Sequence, residues 1–188
     1  MITVYAGTPG SGKTYHAVMD CIRHNGLLIT NINISDLDYH YVPESGIQPF
    51  EILKLADDYY SKNDFREDGV FLVLDEAQLY FNSRAWNDKG RSDWIKLFTN
   101  SRHYGVKILL ITQQIEMIDK QIRGCVEYQV DHRKLSRFGF WGWLLSLIFR
   151  NRLFVAVERF YGLKQKVGTS WFVTRKKYWQ RYNSYIKY

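Results

Sequence analysis

Gly7-Thr8-Pro9-Gly10-Ser11-Gly12-Lys13-Thr14, set directly behind the apolar run Ile2-Thr3-Val4-Tyr5-Ala6, is the stretch whose reading decides the fold. It has the composition and spacing of a phosphate-binding loop. Its glycines let the backbone curl until successive amides point at phosphate oxygens, and a helix starting near Gly12 adds the positive end of its dipole. In such a loop Lys13 reaches the β- and γ-phosphates and the Thr14 hydroxyl ligates Mg²⁺. Tyr15 to His24 supply the helix, with Ala17, Val18, Cys21 and Ile22 spaced along one apolar face. Gly7, Thr8, Pro9, Gly10, Ser11, Gly12, Lys13, Thr14 and Tyr15 are therefore the candidate nucleotide-binding residues, with ATP and Mg²⁺ as the expected cofactors.

A phosphate loop needs a carboxylate at the metal and a base for water before it can hydrolyse anything. Val70-Phe71-Leu72-Val73-Leu74-Asp75-Glu76 supplies both, as an apolar run fit for a buried strand that ends in two acids. Asp75 is the candidate second metal ligand beside Thr14, and Glu76 the candidate water-activating base. A further strand, Val106 to Thr112, ends in Gln113-Gln114, which makes Thr112 or Gln113 the candidate γ-phosphate sensor. Arg84, Arg102 and Arg123 are candidates for an arginine acting on a neighbouring subunit's nucleotide, where it would stabilise transferring charge. The sequence does not choose among the three.

Short apolar runs alternate with helical patterns, which is the signature of a parallel sheet covered by helices. Strands are expected at residues 2–6, 27–30, 70–74, 106–112 and 126–130, and helices at 50–62 and 92–104. An α/β P-loop NTPase with sheet order 5-1-4-3-2, counting those five strands along the chain, follows from placing the sensor strand between the loop strand and the metal-acid strand. Its site then lies at the carboxyl ends of the strands.

The 188 residues, 46% hydrophobic, suffice for one core and a small appendage. Cys21 and Cys125 fit neither a metal nor a disulfide pattern and read as reduced core thiols. No basic leader precedes the first strand, so the site is expected to face cytoplasm. The net charge of +7 is unevenly spread. Residues 1–132 hold 13 basic and 18 acidic groups, whereas residues 133–188 hold 13 basic and one acidic, together with 15 of the 31 aromatics. The chain is thus expected to divide into an NTPase core, 1–131, and a basic, aromatic, β-rich extension, 132–188. Such a composition suits nucleic acid, an anionic membrane or an assembly interface. Within it the uncharged segment 138–149 would span only ~18 Å as a helix, too short for a hydrocarbon core of about 30 Å. It reads as a hairpin tip or short helix packed on the domain, as a membrane-surface contact, or as an assembly patch. Strands are expected at 153–161 and 169–174, before a basic, tyrosine-rich end.

Taken with their order, the loop at 7–14, Thr30-Asn31-Ile32, Leu74-Asp75-Glu76-Ala77-Gln78, Ser101-Arg102-His103-Tyr104-Gly105, Ile111-Thr112-Gln113-Gln114 and Ile122-Arg123 resemble the zonular occludens toxin family. That family includes the assembly ATPases of filamentous bacteriophages, the gene I proteins. The resemblance covers about residues 1 to 131, and Tyr182-Asn183-Ser184-Tyr185 is similar to the end of that cytoplasmic domain. It implies an ATPase at the cytoplasmic face of the bacterial inner membrane, driving extrusion of single-stranded phage DNA while coat protein assembles around it. A homo-oligomeric ring is the expected form, with coat protein or single-stranded DNA as partner. Family members usually continue into a membrane-spanning helix, absent from this sequence, so membrane association would come from the extension or from a downstream segment. A P-loop phosphotransferase and a non-catalytic nucleotide-dependent scaffold are the alternatives.

Overall fold

Eight strands form one sheet in the computed structural model, which describes residues 1–43, 45–82, 90–137, 139, 144, 148 and 152–182. They are β1 (Ile2–Ala6), β2 (Leu27–Thr30), β3 (His40–Tyr41), β4 (Val70–Leu74), β5 (Val106–Thr112), β6 (Tyr128–Lys134), β7 (Leu153–Phe160) and β8 (Gln165–Val173). The helices are α1 (Lys13–Arg23), α2 (Pro49–Tyr60), α3 (Arg91–Thr99), α4 (Lys120–Gly124) and α5 (Lys176–Trp179). The sheet order is β3-β2-β4-β5-β1-β6-β7-β8. The five strands expected from the sequence keep their expected order, all parallel, and the sheet extends past them on both sides. On one side β3 adds in parallel to β2, and on the other β7 and β8 add antiparallel.

Period-two alternation within the central strands divides the core into two layers. Val70, Leu72 and Leu74 of β4, with Ile108 and Leu110 of β5, pack beneath α2, α3 and α4 through Ile52, Ala56, Leu97, Phe98 and Ile122. Phe71 and Val73, with Leu109 and Ile111, face α1 through Ala17, Val18 and Cys21. Every residue of β1 and β4 is buried, as parallel strands covered on both faces require. Helix α2 starts on a capping box: Pro49 follows Gln48, whose amide N–H donates to Glu51 Oε2 at 2.7 Å.

Several boundaries differ from expectation for local reasons. Helix α3 stops at Thr99 and not near Tyr104, because residues 101–105 form turns and the Val106 amide bonds the Ser101 carbonyl at 2.8 Å. Strand β6 runs through His132 to Lys134, so the change in charge falls inside a strand of the central sheet. The β-rich extension is therefore continuous with the sheet: β6 pairs with β7 along its full length. Strand β8 starts four residues earlier than expected, carried by pairing with β7 across a bulge. Of segment 138–149, residues 139, 144 and 148 are helical and Leu144 and Ile148 are exposed; the rest lies outside the described residues. Cys21 is buried, whereas Cys125 is only half-buried and its Sγ lies 3.5 Å from the Gln121 carbonyl.

An aromatic cluster joins the loop helix to the added strands. Phe172 of β8 stacks on Tyr15 at 5.9 Å and on Phe154 at 5.7 Å, and lies 4.9 Å from His16. His16 Nδ1 and His132 Nε2 are 2.8 Å apart, and His132 Nδ1 lies 3.1 Å from the Val130 carbonyl. If His132 Nδ1 carries the proton, its Nε2 accepts from His16, and both rings are neutral. Burial pushes His132 down to about 3. Because this folded-state value lies below the ordinary one of 6.5, the neutral ring contributes stability that is fully present above about pH 6.5 and is lost as the pH falls toward 3. Denaturant unfolding between pH 7 and 4 is expected to show a decline of up to about 1.4 kcal/mol per pH unit from this ring. The His132→Leu protein should decline less steeply; equal slopes in the two proteins would remove His132 as the cause.

Candidate nucleotide site

The loop at 7–14 sits at the carboxyl end of β1, between the ends of β5 and β6. Its shape depends on glycine at Gly7, with φ of 148°, and Gly12, with φ of 91°. A methyl group at Gly7 would lie 2.4 Å from the His132 carbonyl oxygen, and one at Gly12 would meet the Phe154 ring at 2.9 Å. The loop is thus pressed between its own helix and the β6–β7 pair, closer than any side chain permits. The Gly7 amide donates to the Gln113 carbonyl at 3.2 Å, tying the loop to the end of β5.

Inside the loop, Lys13 Nζ donates to the carbonyls of Gly7 at 2.7 Å and Thr8 at 3.3 Å. Burial lowers its amine from the ordinary lysine value. Beside it Thr14 Oγ1 donates to Asp75 Oδ2 at 2.8 Å, across 61 residues of sequence. Burial also raises the Asp75 carboxyl, although hydrogen bonds from Thr14 and the Glu76 amide pull the other way. A withdrawn cation and a withdrawn carboxylate side by side favour an incoming group that brings both negative oxygens and a counter-cation. The Thr14 hydroxyl and the Asp75 carboxylate are two hard oxygen donors in contact, which fits Mg²⁺. Among the described residues no cluster of three or more His, Cys, Asp or Glu could hold a metal.

Asn31, at the end of β2, does what the sequence did not announce. Its side-chain amide donates to the Asp75 carbonyl at 2.9 Å while its Oδ1 accepts from the Asp75 amide at 2.8 Å, and it also donates to Tyr80 Oη at 3.2 Å. Both backbone groups of Asp75 are clamped by one side chain. Glu76 follows in the left-handed region, with φ of 50°, a conformation that costs a non-glycine residue of order 1–3 kcal/mol. Its side chain is exposed and accepts from Gln78 Nε2.

Two clefts flank the loop. One, of about 500 Å³, is lined by Gly7, Thr8, Gln113, Gln114, Asp131 and Arg133 among others. The other, of about 850 Å³, is lined by Thr14, Asn31, Tyr41, Asp75, Glu76 and Tyr182 among others. The Thr112 hydroxyl donates to the Gln114 carbonyl at 3.1 Å and is buried, so of the two sensor candidates Gln113 is the one presented to a cleft. Arg102 pairs with Glu127 at 2.6 Å at the opposite end of the sheet, where the Ile2 amide also reaches Glu127. Arg123 lies on α4 and lines neither cleft. Neither arginine joins the site of its own chain, and Arg84 lies outside the described residues.

The family model described as Zonular occludens toxin (Zot) matches residues 1–186. The chain belongs to the zonular occludens toxin family. Among its relatives, the Gene 1 protein of Enterobacteria phage M13 is 32% identical over 207 residues, covering 95% of this chain and 57% of that protein. The Gene 1 protein of Enterobacteria phage I2-2 is 31% identical over 171 residues, covering 81% and 46%. This Zot-family chain therefore spans about half the length of the curated relatives it matches. The N-terminal domain of zonular occludens toxin from Neisseria meningitidis shares its fold, with TM-score 0.62 at 18% identity over 97% of this chain and 98% of that one. So does the genome packaging NTPase B204 of Sulfolobus turreted icosahedral virus 2, solved with ATP-gammaS, at TM-score 0.56 and 12% identity over 93% and 97%. This chain thus has the α/β fold of those two proteins.

Removing the Asp75 clamp in the Asn31→Ala protein is expected to lower the unfolding free energy by about 1–3 kcal/mol, since the freed backbone groups are part-buried. ATP affinity should fall with it. Unchanged denaturation and unchanged ATP binding would show that Asp75 is held by something else.

Proposed function

We propose that this chain is an ATP-binding and ATP-hydrolysing motor domain for filamentous phage assembly, exporting single-stranded phage DNA through the bacterial inner membrane. The observation that carries the reading is the meeting of Lys13, Thr14, Asp75 and Glu76 at the carboxyl ends of β1 and β4, the parallel strands on either side of β5. Loop amides between Gly10 and Tyr15 bind the β- and α-phosphates, and Lys13 exchanges its two loop carbonyls for phosphate oxygens. Thr14 and Asp75 hold Mg²⁺, which neutralises phosphate charge when bound. Glu76 accepts the proton of the attacking water, and Gln113 contacts the γ-phosphate side. Gene 1 relatives encoded by phages and a packaging NTPase of the same fold support the assembly role.

The motor works as a homo-oligomeric ring at the cytoplasmic face of the host inner membrane, with coat protein or single-stranded DNA as its load. No helix among the described residues is long and apolar enough to cross a membrane. Arg102 and Arg123 act on nucleotide only if a neighbouring subunit's site receives them.

Phosphate release from ATP, with ATP binding measured in parallel, tests the reading. Lys13→Ala and Asp75→Ala are expected to weaken binding, whereas Glu76→Gln should bind ATP normally and release phosphate at least a hundredfold more slowly, the scale on which a general base acts. Wild-type turnover by Glu76→Gln would remove Glu76 as the base. Transfer of phosphate to a small molecule instead of release would indicate a phosphotransferase.

A further inference from the structure

The sheet order converts the uneven charge of the sequence into a molecule with two unlike edges. Residues 31–68, which build the β2–β3 edge and α2, hold nine Asp and Glu against three Lys and Arg. Residues 152–175, which build the β7–β8 edge, hold five Lys and Arg against one Glu; beyond them α5 packs on α1, and the Ser35 amide donates to the Arg181 carbonyl at 2.7 Å. The two groups flank opposite ends of one eight-stranded sheet.

Both edges also expose apolar side chains, and they do so at matching heights. Because β7 is antiparallel to β6, the turn at 161–164 lies at the end of the sheet remote from the nucleotide loop, and β8 climbs back to the loop end. Near the remote end the basic edge presents Leu163, Lys164, Lys166 and Val167, and nearer the loop end Trp171 and Val173, of which Leu163 is 66% and Trp171 60% exposed. Helix α2 runs the same way in reverse. Its first turn, beside the larger cleft, exposes Phe50 at 67%, and its last turn and the following loop expose Asp57, Asp58, Asp64 and Phe65, the last at 57%. None of the five ion pairs among the described residues engages Lys164, Lys166, Asp57 or Asp58. Lysines on an edge strand also guard against indiscriminate pairing, but that function asks for no acidic counterpart on the far edge.

We infer that the basic β7–β8 edge of one copy of this chain docks against the acidic α2 edge of the next, remote end to remote end and loop end to loop end. The inference rests on the motor reading above, in which copies act together, and adds which faces they use. A contact between two different surfaces is heterologous, so it repeats from copy to copy until the rotation closes a ring. It also accounts for the larger cleft. That cleft opens on the α2 side and holds Asp75 and Glu76, and no Lys or Arg is among its described lining residues. The neighbour's loop-end bases, Arg152 and Arg175, arrive on that side with β8.

Reciprocal charge reversal tests the contact. Sedimentation velocity of the 188-residue chain with ATP should show self-association at micromolar concentration that weakens with salt. Lys164→Glu/Lys166→Glu should associate at least tenfold more weakly, and so should Asp57→Lys/Asp58→Lys. An equimolar mixture of the two should recover assemblies of wild-type size, because the reversed edges then face each other. All of these residues lie away from the loop, so each variant should bind ATP with wild-type affinity in equilibrium titration; that keeps failure of the contact separate from failure of the nucleotide site. A monomeric wild type, undiminished association of either variant, or a mixture that does not recover would overturn the inference. Undiminished association together with lost binding of the lysine variant to anionic vesicles or single-stranded DNA would assign the basic edge to that partner instead.

Discussion

The hydrogen bond from Thr14 to Asp75 is the contact on which the rest of the structure depends. Thr14 stands one residue inside α1, and Asp75 one residue past β4. They meet only because β5 lies between β1 and β4 and the three strands run parallel, which brings all their carboxyl ends to one rim. Burial of every residue of β4 fixes the height of Asp75, and the Asn31 amide fixes its backbone. The energetic cost is visible in the site: Lys13 is held short of its ordinary proton affinity and Asp75 above its own, both through desolvation. Such a pair is cheaper to keep with a charged ligand than without one.

The added strands are tied to that site. Phe172 of β8 packs on Tyr15 and His16 of the loop helix, and the Arg175 amide donates to Tyr15 Oη at 3.0 Å. The His132 carbonyl meanwhile limits how the loop can turn at Gly7. The loop and its helix thus pack directly against β6, β7 and β8, the part of the molecule that carries the basic charge. The nucleotide site and the basic edge therefore share one packed aromatic cluster.

Strands β1, β2, β4 and β5 were legible because each is a mainly apolar run bounded by turn residues, and the loop because its glycines and Lys13-Thr14 have one common structural use. What was not legible depends on partners distant in sequence. Strand β3 is two exposed residues made into a strand only by β2. Asn31 and His132 find their roles through residues 44 and 116 positions away. Gly168 and Lys166 break the pattern of β8, which is set by pairing with β7. Arg102 was legible in another way. It precedes β5, and residues that precede a parallel strand lie at its amino end, across the sheet from a site at the carboxyl ends. The order of the strands already placed it away from its own nucleotide.

The central claim is that Thr14 and Asp75 together receive the metal that accompanies ATP. Calorimetric titration of ATP, with Mg²⁺ and with EDTA, into the wild-type chain and into Asp75→Asn measures this directly. Mg²⁺ should tighten ATP binding at least tenfold in the wild type and by little in Asp75→Asn. Equal Mg²⁺ dependence in the two proteins, or none in the wild type, would contradict it.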